Sequence, residues 1–79
     1  MIKHSVVIVD DHTLLSQAIQ TMVNTFDKFE VLYTCKNGQE LVEKFTKSSS
    51  NIPEVVLMDI NMPIMNGIEA TDWIHKTHP

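Results

Sequence analysis

Two short apolar runs that each stop on aspartate constrain this chain more than any other feature. Val6, Val7, Ile8 and Val9 lead into Asp10 and Asp11, and Val55, Val56, Leu57 and Met58 lead into Asp59. Uninterrupted runs of β-branched and aliphatic residues mark strands covered on both faces, as in parallel sheets flanked by helices. Each run therefore predicts an interior strand with a carboxylate just past its carboxyl end.

The intervening segments alternate in kind. Leu14, Leu15, Ala18, Ile19, Met22, Val23 and Phe26 recur at helical spacing, which predicts a helix with that stripe laid against the sheet. Phe29 to Cys35 is rich in aromatic and β-branched residues but carries Glu30 and Thr34, the composition of a partly exposed edge strand. Asn37 and Glu40 have capping-box spacing, and Leu41, Val42 and Phe45 give the next helix an apolar side that fades at Lys47. Ser48, Ser49, Ser50 and Asn51 read as a connection. A loop whose Pro63 and Gly67 set turns precedes a last helix with Ile68, Thr71 and Ile74 on its apolar side. Strand, helix, strand, helix, strand, helix is the order of an α/β fold. With 79 residues, 43% of them hydrophobic, there is material for one core and no second. A chain this short buries only about 60% of its unfolded surface, so its stability alone is marginal.

Right-handed crossovers can put the second strand on one side of the first and the third on the other, the order 2-1-3. The crevice of such sheets lies beyond the carboxyl ends of the strands, where the order changes direction. Asp10, Asp11 and Asp59 stand at those ends. Three carboxylates in one notch repel, so one is protonated or a cation is present. An all-oxygen donor set in an open cleft suits Mg2+, which keeps several waters and takes one or two carboxylates.

Composition removes other functions. Six Lys plus Arg against ten Asp plus Glu leave a net charge of −4 and no basic stripe for nucleic acid, so these residues are not expected to bind DNA directly. The single Cys35 has no disulfide partner, and Asp10 ends the first apolar run far short of a signal core or membrane span. A soluble, cytoplasmic protein without membrane association is expected. His12 reads as an exposed first-turn residue outside the site, and His75 and His78 as solvated. Met62, Met65, Trp73 and Cys35 read as packing residues.

V-D-D-H at Val9 to His12, and D-x-x-M-P-x-M-x-G at Asp59, Met62, Pro63, Met65 and Gly67, resemble the receiver domains of two-component response regulators, over essentially the whole chain. The resemblance implies a flavodoxin-like parallel sheet with helices on both faces, here about three βα units in the order 2-1-3. Residues 1–79 would be the amino-terminal portion of a receiver. The two further units, which bring a Ser or Thr and a Lys to the phosphoryl oxygens, and any output domain would lie outside it. Asp59 would accept a phosphoryl group from a phosphohistidine of a sensor histidine kinase, with Mg2+ held by Asp10, Asp11, Asp59 and the backbone carbonyl of Asn61. The chain would then be a phosphoacceptor in a relay, not an enzyme.

The wording V-D-D-H-x-L-L is similar to receivers that continue into helix-turn-helix domains, so control of transcription through a DNA-binding output domain is expected of the complete protein. The third strand would have an open apolar edge, inviting self-association or cover by further chain. Two rival readings stand beside this one. A magnesium-dependent phosphohydrolase of the haloacid-dehalogenase kind has a second Asp two residues after its nucleophile on the first strand, where this chain has His12 after Asp10. A truncated interaction fragment would keep the fold without the chemistry.

Overall fold

The alternation seen in the sequence is realised as six elements: β1 (His4–Val9), α1 (Thr13–Asn24), β2 (Phe29–Cys35), α2 (Gly38–Lys47), β3 (Val55–Met58) and α3 (Gly67–Thr77). The computed structural model describes residues 3–47, 52–60, 62 and 64–78. The Ser48–Asn51 connection, Asn61 and Pro63 lie outside the described residues. The three strands form one parallel sheet in the order β2-β1-β3, the expected 2-1-3. Val6 to Val9 pair in step with Val55 to Met58, whereas β2 skips Leu32 between the partners of Val6 and Val7.

Side chains alternate across a strand, so β1 presents Val7 and Val9 to one face and Val6 and Ile8 to the other. On the first face Val7 and Val9 pack with Cys35, Leu41, Phe45 and Met62, joined by the partly buried Val56, Met58, Trp73 and Ile74. α2 and α3 close this face together. They approach so tightly that a Cβ added at Gly38 would lie 2.9 Å from the Ala70 Cβ, and the Phe45 and Trp73 rings meet edge to face at 6.1 Å. Both helices begin on asparagine caps. Asn37 Oδ1 accepts the Glu40 N–H at 2.9 Å, and Glu40 Oε1 accepts from Lys36 N–H at 3.2 Å instead of from the cap residue's own N–H. Asn66 and Glu69 make the full reciprocal box, at 2.9 and 3.2 Å.

The opposite face is only partly covered, and on the two faces together several expectations need correction. The stripe of α1 lies only partly against the sheet: Leu14, Leu15, Met22 and Phe26 are exposed, Leu14 at 83%, Ile19 and Val23 are half-buried, and Ser16 is the buried residue of the helix. The helix packs mainly on β1 and β2, and it ends at Asn24, so Phe26 falls in the following turn. β3, composed like an interior strand, has the open apolar edge expected of it: no described strand pairs with its outer side, and its Val55 and Leu57 are exposed. α3 buries Gly67 and Ala70, not Ile68 and Thr71, since close approach to Gly38 selects its small residues. His78 is not simply solvated, for its ring packs edge-on against Phe45 at 5.2 Å.

Candidate functional site

Strand register builds the site. Val9 stands opposite Met58, and the ladder continues one step further: Asp59 N–H donates to the Val9 carbonyl at 2.9 Å, and Asp10 N–H to the Cys35 carbonyl at 2.9 Å. The central strand is thus tied to both neighbours at its last residues, and Asp10 and Asp59 leave the sheet side by side. Ligand atoms of Asp10, Asp11, His12 and Asp59 all lie within 4.8 Å of one another. Asp10 is buried, Asp59 half-buried, and Asp11 and His12 are exposed.

His12 belongs to this cluster, contrary to the expectation from sequence. Its backbone N–H donates to Asp10 Oδ1 at 2.8 Å, which tightens the turn into α1 and carries the ring back over the acids. Nδ1 then lies 3.0 Å from Asp10 Oδ1, 3.1 Å from Asp11 Oδ1 and 3.9 Å from Asp59 Oδ2. The hydrogen bond to Asp10, followed by the charges of Asp11 and Asp10, raises the His12 pKa above its ordinary value. The available signal was its place two residues after Asp10 and just before a helix. As the N-cap of α1 its side chain makes no capping bond, so the ring is uncommitted to the helix.

The loop after Asp59 is clamped from two sides. Gly67 N–H donates to the Ile60 carbonyl at 3.0 Å, and Gly38 N–H donates to the Met65 carbonyl at 2.9 Å. A side-chain carbon at Gly67 would collide with the Asp59 carbonyl oxygen. Gly67 has no positive φ, so it serves close approach and not the turn expected of it. Met62 drops into the core, while Ile64 stands 80% exposed at φ 68°. That left-handed conformation costs a β-branched residue roughly 1–2 kcal/mol. The Asn61 carbonyl, expected to be a ligand, lies outside the described residues. The rest of the donor set fits Mg2+: three carboxylates converge at a notch open enough to solvent for waters to complete the shell.

Known proteins share the sequence pattern and the fold. Residues 6–79 match the family model of the response regulator receiver domain. The chain is 47% identical over 72 residues to a protein-glutamate methylesterase/protein-glutamine glutaminase of Methanococcoides burtonii, a match covering 91% of this chain and 20% of that protein. It is 39% identical over 80 residues to the transcriptional regulatory protein DegU of Brevibacillus brevis, covering 98% of this chain and 31% of that one. The chain thus spans between a fifth and a third of these relatives' length. Among solved structures, the response regulator domain of Thermotoga maritima CheB superposes with a TM-score of 0.86 at 34% identity, covering 98% of this chain and 55% of that domain.

Proposed function

The chain belongs to the response-regulator receiver family, and from that premise we propose that Asp59 is its phosphoacceptor, with Asp10 and Asp11 the acids that hold Mg2+ beside it. The observation that carries the reading is the convergence of Asp59 with Asp10 and Asp11 across two neighbouring strands. Asp10 is buried with Oδ1 already accepting from His12, and Asp11 is the outermost acid of the cluster. Asp59 alone sits on the clamped loop, with its Oδ2 3.9 Å from the imidazole nitrogen against 3.0 and 3.1 Å for the Asp10 and Asp11 oxygens. A carboxylate whose backbone is fixed and whose oxygen is less engaged is the best placed nucleophile.

In the proposed step an Asp59 oxygen attacks phosphorus and the P–N bond of a phosphohistidine on a sensor histidine kinase breaks. The departing imidazole takes the bonding electron pair and a proton from water. When bound, Mg2+ supplies the positive charge that lets a carboxylate approach an anionic phosphoryl group. Asp10 and Asp11 would hold it, with the Asn61 backbone carbonyl as the further ligand implied by the family resemblance.

Residues 1–79 are proposed as the amino-terminal portion of the receiver, acting in the cytoplasm as a relay component. Among the described residues no helix is long and apolar enough to cross a membrane. The DegU relative supports a DNA-binding output domain, and the methylesterase relative supports a catalytic one as the alternative. The exposed Val55 and Leu57 on the unpaired edge strand support self-association through β3. Sedimentation should then depend on concentration, and a monomer at every concentration would remove that contact.

Incubating the chain with a small acyl phosphate and Mg2+, followed by intact-mass spectrometry and peptide mapping, tests the acceptor. One phosphoryl group on Asp59, absent in Asp59→Asn and reduced in Asp11→Asn, is the expected result. A label that survives Asp59→Asn, or sustained turnover of phosphoesters, would contradict it.

A further inference from the structure

The imidazole of His12 takes no part in the proposed phosphoryl transfer, yet its nitrogen shares the notch with all three acids. In an octahedral shell with bonds of about 2.1 Å, neighbouring donor atoms lie roughly 3.0 Å apart and opposite ones roughly 4.2 Å. The separations of Nδ1 from Asp10, Asp11 and Asp59 oxygens are 3.0, 3.1 and 3.9 Å. Two match neighbouring corners and the third approaches an opposite one. The backbone fixes this placement: the His12 N–H to Asp10 bond holds the turn, and the ring has no capping duty on α1.

We propose that His12 Nδ1 is a fourth, nitrogen ligand of the cation site and gives this cleft a preference for Mn2+ over Mg2+. The inference rests on the metal reading above and deepens it. Carboxylates and water serve both ions, but an imidazole nitrogen is a softer donor that Mg2+ takes poorly and first-row divalent ions take well. A receiver built this way would be loaded by whichever of the two ions its surroundings supply, with the nitrogen ligand weighting the choice toward manganese.

The test is the ratio of Mg2+ to Mn2+ dissociation constants, measured by calorimetry on the whole chain and on His12→Ala, His12→Gln and His75→Ala. A ratio cancels any general effect of removing the ring on cation entry. It should fall about tenfold in both His12 variants and stay unchanged in His75→Ala. Pulsed electron paramagnetic resonance of the Mn2+ form should show nitrogen modulation that His12→Ala abolishes. Two bound ions with an unchanged ratio, or nitrogen modulation that persists without His12, would overturn the ligand assignment and leave the acidic site standing. Binding of neither ion would overturn both.

Discussion

The two faces of the sheet differ sharply although the same three strands supply both. On the side of Val7 and Val9, α2 and α3 bury a continuous core, whereas on the side of Val6 and Ile8, α1 leaves much of β3 and its own apolar stripe in solvent. Dimensions explain the difference. A helix is about 10 Å across and strands are about 4.8 Å apart, so one helix covers two strands and two helices cover all three. The acidic notch sits at the junction of both faces, and its geometry draws on the closed one: Met62, Gly67 and the α2 N-terminus hold the Asp59 loop from that side.

Core substitutions test this contrast with the largest effects. Leu41→Ala, in the closed face, should cost about 2–5 kcal/mol, whereas Leu57→Ala, in the open one, should cost less than about 0.5 kcal/mol. Urea denaturation followed by circular dichroism reads both, and equal losses would mean that the α1 face is covered in solution. Gly67→Ala should cost about 1–3 kcal/mol by forcing the loop off the Asp59 carbonyl and should weaken Mg2+ binding as well. A harmless Gly67→Ala would show that the closed face does not clamp the site.

Smaller effects sharpen the picture at the notch. Ile64→Gly should raise stability by about 1 kcal/mol through relief of its left-handed backbone, seen as a higher midpoint in the same denaturation. A loss would mean that the exposed isoleucine packs on something. The pKa of His12 is raised on folding, so its contribution to metal-free stability is complete below the ordinary histidine value of 6.5 and disappears as pH rises through the higher folded value. The melting temperature of His12→Ala should lack that decline, and an identical pH profile would contradict it.

Strand positions and the aspartates past their ends were legible because each depends on short-range pattern, an apolar run and where it stops. The order 2-1-3 that brings Asp10, Asp11 and Asp59 together is one that right-handed crossovers allow and the receiver resemblance implies. Less legible was anything that depends on what an element touches. The stripe of α1 is apolar with helical period, but period says which side is apolar and not whether a neighbour covers it. Ile68 outweighs Ala70 in hydrophobicity, yet the close contact with Gly38 admits only the smaller residue. His12 entered the site through a turn two residues long, where one backbone hydrogen bond decides the direction of the ring.

A magnesium titration followed residue by residue by nuclear magnetic resonance tests most directly whether the three acids form one cation site. The amides of Asp10, Asp11 and Asp59 should shift together along one binding curve, and Asp59→Asn should weaken the response at the other two. Shifts at Asp10 and Asp11 with Asp59 unmoved, or following a separate curve, would contradict it.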